Sequence, residues 1–139
     1  MKKNVLCIEK NRPICFLIET LLNDKYAVFS YENNFLAMEE IASGKTIDLI
    51  ILSVEDAQDE NIEMLYHFSS SSILRNIPVI ILSNTHYEEL KPFCLESNVH
   101  AFFTKPFNPL ELLAKINQTI LTTNESQILY KKRKVFNLN

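Results

Sequence analysis

Four short apolar runs in the sequence each end in polar residues that could bind ions or phosphate. Glu9 and Lys10 follow the first run, Ser53 and Ser83 follow two later runs, and Lys105 follows the last. A carboxylate can bind a hard divalent cation, a lysine can bind phosphate oxygens, and a serine hydroxyl could form a phosphate ester. These residue types indicate phosphate or metal chemistry, provided that the fold brings them together.

Other candidate groups carry a weaker signal. Five acids lie in the nine residues from 55 to 63, and a solvated loop leading into a helix explains them, because acids suit a helix N-terminus. They are Glu55, Asp56, Asp59, Glu60 and Glu63. The histidines are not clustered, so we interpret them as surface or packing residues; they are His67, His86 and His100. A single glycine, Gly44, excludes glycine-rich phosphate loops.

Composition limits the class of protein. The chain has 139 residues, 47% hydrophobic and 22% charged, with a formal charge of −3, which suits one globular domain and not a generally basic nucleic-acid binder. No apolar run is long enough to span a bilayer, and the N-terminus lacks the apolar stretch of a signal peptide. Three cysteines without zinc spacing favour a reduced cytoplasmic protein with buried thiols.

The apolar pattern alternates between strand and helix periods. We predict strands at 4–8, 26–29, 47–52, 77–82 and 101–104. The predicted helices begin after Asn11, after Asn33 or Asn34, near residue 62, at His86 and after Asn108. Five β-α repeats predict an α/β fold, a doubly wound five-stranded parallel sheet. Chemistry in such sheets lies beyond the carboxyl ends of the strands, where the polar residues described above fall.

The chain divides by charge into two parts. Residues 1–123 hold 10 basic and 16 acidic residues, a charge of −6, whereas residues 124–139 hold four basic residues and one acid, a charge of +3. We therefore expect a domain at 1–123 and a basic C-terminal tail or linker at 124–139. Its basic residues could contact nucleic acid or an acidic partner, although a solvated tail is the simpler interpretation; they are Lys131, Lys132, Arg133 and Lys134.

With these elements in place, the sequence resembles the receiver domain of two-component response regulators over residues 3–122. The segment 103–113, with its Lys-Pro, Asn helix cap and Leu-Leu, is similar to the family's fifth-strand signature. The segment 77–83 is similar to the fourth strand with its switch residue, 48–52 to the run leading to the phosphoacceptor, and 5–8 to the first strand. The resemblance implies a flavodoxin-like (βα)5 fold with strand order 2-1-3-4-5.

The resemblance also assigns roles to single positions. Glu9-Lys10 stands where receivers carry an acidic pair, and Ser53 stands where they carry the phosphoaccepting Asp. Ser83 and Lys105 retain the family's switch and lysine positions. The remaining two positions are an aromatic switch and a candidate cis-proline, namely Phe102 and Pro106.

These departures predict a retired phosphorylation site. Glu9, Lys10, Ser53 and Lys105 sum to +1 if all face one pocket, so Mg²⁺ binding is expected to be lost or weak, and Mg²⁺ is what neutralises charge in phosphoryl transfer. Ser53 cannot form an acyl phosphate. We therefore expect a pseudo-receiver, not an enzyme, in which Lys105 pairs with Glu9.

The resemblance implies protein partners, such as a histidine kinase or an output domain, and a possible homodimer through the face of helix 4, strand 5 and helix 5. Phe93, Leu95 and Phe102 could contribute to that face, although most are expected in the core. Two alternatives stay open. The chain could be a phosphorylatable regulator with a surrogate acceptor (Ser53, Glu55 or Asp56), or the receiver part of a DNA-binding regulator.

Overall fold

Strands and helices alternate five times along the described chain. The computed structural model describes the backbone of residues 1–136 and the side chains of residues 1–123. The elements are β1 (Lys3–Ile8), α1 (Arg12–Leu22), β2 (Tyr26–Tyr31), α2 (Asn34–Ala42), β3 (Leu49–Ser53), α3 (Asn61–Ser70), β4 (Val79–Ser83), α4 (Tyr87–Leu95), β5 (Val99–Thr104) and α5 (Pro109–Phe136). The strands form one parallel sheet in the order β2-β1-β3-β4-β5, which confirms the predicted fold.

Asparagine side chains cap the helix starts, as the sequence indicates. Asn11 accepts a hydrogen bond from the Ile14 amide at the start of α1, and Asn33 accepts one from the Leu36 amide at the start of α2. Asn108 caps α5 in the same way. These caps fix where each helix leaves the sheet edge, because they satisfy amides that have no partner inside the helix.

Helices cover both faces of the sheet, which explains why the central strands are apolar on both sides. One core packs the sheet against α2, α3 and α4, whose buried side chains include Ala37, Leu65 and Leu90. The other packs it against α1 and α5 through Ile18 and Ile116. The two cores hold the strand ends in fixed positions, so the polar residues beyond them lie at one edge.

Several element ends differ from the sequence prediction. β2 runs two residues further, because Ser30 and Tyr31 continue the parallel ladder opposite Cys7 and Ile8; the polar Ser30 hides this continuation in the sequence. The helix α5 continues to Phe136. The expected division at 123/124 thus falls within this helix and stays a prediction, and the side chains of 131–134 lie outside the described residues.

Within the part of the chain that the structure describes, no helix is both long and apolar enough to cross a membrane.

A candidate site at the carboxyl edge of the sheet

The strand order brings the predicted site residues to one edge. Ile8 of β1 lies opposite Leu52 of β3, so the residues that follow, Glu9 and Ser53, are neighbours. The β4–β5 ladder ends at Ser83 opposite Thr104, and the Lys105 amide donates to the Ser83 carbonyl at 2.7 Å. The topology alone therefore delivers Lys105 to the same edge as Glu9, although β1 and β5 are not neighbours in the sheet.

Lys105 connects the first, third and fifth strands. Its Nζ lies 2.5 Å from Glu9 Oε1 and donates a hydrogen bond to Ser53 Oγ at 2.9 Å. The side chains of Lys105 and Glu9 are only 9% and 1% exposed. The predicted Glu9–Lys105 pair is present, and it is a buried ion pair with a serine hydroxyl as the second acceptor.

A second ion pair corrects the predicted charge of the site. Lys10 does not point inward beside Glu9: its side chain is 66% exposed, and its Nζ lies 2.9 Å from Glu55 Oε1. The hydrogen bond to Glu55 raises the pKa of Lys10 above its ordinary value. Because Glu55 adds a charge of −1 to the predicted sum of +1, the five side chains Glu9, Lys10, Ser53, Glu55 and Lys105 are formally neutral.

The acidic loop after β3 is built by its own hydrogen bonds. Asp59 accepts from the Glu55 amide at 2.7 Å and from the Asn61 amide at 2.9 Å, and Asp56 accepts from the Gln58 amide at 2.9 Å. Asn61 Nδ2 donates to the Ser53 carbonyl at 2.8 Å, which ties the start of α3 to the end of β3.

The role of Asp59 was not predicted from the sequence, although aspartate side chains commonly accept a hydrogen bond from the backbone amide two residues on, which here is the amide of Asn61. Among the described side chains, no group of three His, Cys, Asp or Glu residues is placed to hold a metal ion.

Of the two positions to which the resemblance assigns a switch, Ser83 lies beside the site, whereas Phe102 lies on β5 against α4. Ser83 is fully buried; its hydroxyl donates to the Glu55 carbonyl at 3.3 Å and accepts from the Thr85 amide at 3.2 Å. The Phe102 ring packs edge-on against Tyr87 of α4, with 5.3 Å between ring centroids. The peptide bond between Lys105 and Pro106 is cis, as expected.

The three apolar residues of α4 and β5 that could contribute to a partner-binding face differ in exposure. Phe93 and Phe102 pack partly buried against the core, whereas Leu95 is 70% exposed, so this leucine is not a core residue. The three histidines are exposed, as predicted; they are His67, His86 and His100.

The sheet order and the residues at its edge define a receiver fold. The chain belongs to the response regulator receiver domain family, whose family model matches residues 5–117. The phosphate regulon transcriptional regulatory protein PhoB of Escherichia coli (strain K12) is 29% identical over 120 residues, which cover 84% of this chain and 51% of PhoB. The regulatory protein VanR of Enterococcus faecium is 32% identical over 123 residues, covering 84% of this chain and 49% of VanR. The chain spans about half the length of these curated relatives.

Solved structures show the same architecture. A CheY-like receiver domain protein from Methanospirillum hungatei JF-1 superposes with a TM-score of 0.79 at 19% identity, covering 91% of this chain and 99% of that one. The chemotaxis response regulator CheY4 of Vibrio cholerae gives 0.75 at 22% identity, covering 86% and 99%. A response regulator receiver modulated diguanylate cyclase from Pelobacter carbinolicus gives 0.71 at 27% identity, covering 90% and 97%.

Proposed function

We propose that this receiver domain is a pseudo-receiver, a signalling module that acts by protein–protein interaction without Mg²⁺-dependent aspartyl phosphorylation. The observation that carries the proposal is the position of Lys105 Nζ, which contacts both Glu9 and Ser53 in the buried centre of the site. The ammonium group already pairs with the carboxylate that a metal ion would need as a ligand.

The ligand set argues against a magnesium site. Mg²⁺ requires near-octahedral oxygen coordination and is usually held by one or two carboxylates with retained waters. Glu9 is the only carboxylate among the acidic-pair and acceptor positions, and its charge is neutralised by Lys105. A metal ion would have to separate a buried ion pair, and separation leaves a charge uncompensated in a poorly solvated place.

The acceptor position argues against the usual phosphoryl chemistry. Ser53 is 5% exposed, and its hydroxyl accepts from Lys105. A serine would form a stable phosphate ester rather than an acyl phosphate. Of the other candidate acceptors, Glu55 is paired with Lys10 and Asp56 accepts from a loop amide, so both carboxylates are engaged.

Partner binding is then the remaining route to an output. We propose a histidine kinase, an output domain or another signalling protein as partner, reached through the face of α4, β5 and α5, on which Leu95 is exposed. A second copy of the chain is a further occupant of this face. The three thiols are free, which supports action in a reducing compartment such as the cytoplasm.

The test is an amide NMR titration of the full chain with Mg²⁺, followed by Mg²⁺ with beryllofluoride, which imitates a phosphoryl group on a carboxylate. We expect the resonances of Glu9, Ser53, Ser83 and Lys105 to stay in place at millimolar Mg²⁺. Saturable shifts that spread to α4 and β5 would overturn the proposal and show a surrogate acceptor at work.

A second candidate function is the receiver part of a DNA-binding transcriptional regulator. It is favoured by the relatives, because PhoB is named a transcriptional regulatory protein and the chain spans about half of it. The discriminating measurement is DNA binding as a function of salt concentration. Binding that disappears when residues 124–139 are deleted would support this candidate; equal binding by both forms at every salt concentration would exclude a role for that segment.

A further inference from the structure

One side of α5 carries apolar residues that the core does not use. They form the α5 stripe, which consists of Leu110, Ala114, Leu121, Ile128 and Val135. Steps of four and seven residues return to nearly the same angle around a helix, so these positions share one side of α5. Leu110 and Leu121 are 71% and 60% exposed, and Ala114 is exposed as well. The side of α5 that packs on the sheet is a different one, formed by Leu112, Ile116 and Ile120.

The helix α5 extends past the body of the domain. Ile120 is its last residue in the described core, and the helical backbone continues from there to Phe136, a length of about 24 Å. The α5 stripe continues with it, because Ile128 and Val135 follow Leu121 at heptad spacing. An isolated helical segment of this length is marginal in water, and helices in proteins gain most of their stability by packing an apolar face. The extension therefore favours a partner that covers this side.

The α5 stripe is separate from the face that α5 shares with α4 and β5. Asn117 lies one turn before Leu121, on the flank of the stripe. Its side chain accepts a hydrogen bond from the hydroxyl of Tyr26 in β2. Because β2 and β5 are the two opposite edge strands of the sheet, this flank of the stripe lies toward β2 and away from β5.

Charge distinguishes the two directions in which two copies of this helix can pair. The extension carries a run of basic residues at 131–134. Parallel pairing in register would place the two basic runs side by side, and like charges at close range oppose association. Antiparallel pairing centred on Ile128 places 131–134 of one copy opposite 122–125 of the other, a segment without a basic residue that ends in Glu125. It also directs each segment 124–139, with a charge of +3, toward a partner domain with a charge of −6.

We infer that the α5 stripe is a dimerisation surface on which α5 of a second copy packs antiparallel. With Ile128 on the two-fold axis, Leu121 of each copy falls opposite Val135 of the other, and Glu125 falls opposite Lys131, so the same surface serves both copies. The stripe is narrow, so the interface is small, with a dissociation constant on the order of 10 µM. The dilute chain is then a monomer in which Leu121 stays exposed. This pairing does not depend on the chemistry of the site around Lys105.

Sedimentation velocity of the full chain, from about 1 to 200 µM, tests the pairing. We expect a monomer at the lowest concentration and a dimer at the highest. Leu121→Lys is expected to weaken association at least about tenfold, because it places a charge in an apolar contact. Leu95→Lys is the matched control, since Leu95 is 70% exposed on α4, and it should leave association unchanged. A monomer at every concentration, or a dimer that Leu95→Lys disrupts and Leu121→Lys does not, would overturn the inference.

Cross-linking tests the direction of pairing. Leu121→Cys and Val135→Cys are introduced into separate chains that also carry Cys15→Ser, since the remaining thiols of Cys7 and Cys94 are buried. The two chains are mixed at a concentration that forms the dimer. Residues 121 and 135 are about 21 Å apart along one helix, so a bismaleimide shorter than this joins them between chains only in antiparallel order. We expect peptide mapping to find this product. Cross-links mainly between two copies of residue 121 would show parallel order and refute the inference.

Discussion

Lys105 and Glu9 place two opposite charges where water hardly reaches them. Such a pair adds little net stability compared with apolar residues, but breaking it by removing one partner is costly. The serine hydroxyl and the Asn11 amide, which donates to Glu9 Oε2 at 3.4 Å, help to satisfy the two groups. The pair therefore determines the shape of the site more than it determines the stability of the domain.

A double-mutant cycle tests this pair. Glu9→Gln or Lys105→Met alone is expected to lower the free energy of unfolding by about 3–5 kcal/mol, because each leaves a buried charge without its partner. The double variant is expected to lose clearly less than the sum of the two. Urea unfolding measures all three.

The exposed pair of Arg12 and Glu32 is the matched control. Its side chains are 85% and 55% exposed, so Glu32→Gln and Arg12→Met should change the stability much less. Losses for Glu9→Gln and Lys105→Met that simply add in the double variant would show that the two side chains are not coupled.

Adding carboxylates at the acidic-pair and acceptor positions should create a metal site. The variant Ser53→Asp with Lys10→Asp has, with Glu9, three carboxylates at the strand ends beside Lys105, and it removes the Lys10–Glu55 pair that holds the side chain of residue 10 outward. It is expected to bind Mg²⁺ in the millimolar range, since hard cations select anionic oxygens. The control Ser53→Asn with Lys10→Asn has similar side-chain shapes without the charges and should bind none. The Mg²⁺ titration by NMR separates them, and equal binding by both variants would refute the charge argument.

At the scale of elements, buried apolar side chains along one side of α5 hold this helix against the sheet. Ile116 is fully buried, whereas Leu121 is 60% exposed. We expect Ile116→Ala to cost about 2–4 kcal/mol, because it removes apolar contacts and leaves a cavity, and Leu121→Ala to cost little. Chemical denaturation of both variants checks this. A large loss for Leu121→Ala would place that leucine in a contact between molecules.

Tyr26 gives the packing of β2 on α5 a pH dependence. Its hydroxyl donates to the Asn117 side chain, and burial raises the pKa of Tyr26. The unfolded chain therefore ionises first, near the ordinary tyrosine pKa of about 10. The stability is complete below that pH and falls as pH rises toward the higher pKa of the folded state.

The measurement is the thermal midpoint at neutral and alkaline pH. Tyr26→Phe should flatten the alkaline loss, although it removes a hydrogen bond at neutral pH. Tyr66→Phe, a change on the exposed side of α3, should leave the slope as it is. An unchanged slope in Tyr26→Phe would assign the alkaline loss to other groups, of which Tyr31 is the first candidate, since burial also raises its pKa.

The elements could be predicted because their signals are local. Asn11 and Pro13 mark the start of α1, and the apolar residues 49–52 mark a strand covered on both faces. The ends were harder: Ser30 and Tyr31 belong to β2 because Cys7 and Ile8 lie opposite them. A ladder partner from another part of the chain leaves no trace in the local pattern.

The same reasoning applies to the site. The fold resemblance places Glu9, Ser53 and Lys105 together, and charge alone then predicts the Glu9–Lys105 pair. The partner of Lys10 was not predicted, because the direction of a long side chain depends on the loop that carries Glu55. That loop is shaped by the hydrogen bonds of Asp59, which a charge count does not contain.

At the scale of the whole molecule, Ile120 of α5 is the last residue along the described chain that belongs to a core. A chain that stops at residue 123 is therefore expected to fold with the same strand content and a thermal midpoint within a few degrees of the full chain, because it keeps both cores. Circular dichroism with thermal melting measures both quantities. A cooperative transition lost on shortening would show that the last residues complete the domain.

The reach of Lys105 across the sheet edge also has a consequence for synthesis of the protein. Glu9 is made at the beginning of the domain, and Lys105 follows only after all five strands. A nascent chain that has emerged as far as β4 would have to bury the Glu9 carboxylate with no cation beside it. The ribosome-bound domain should therefore stay open, and close in one step when β5 and α5 emerge.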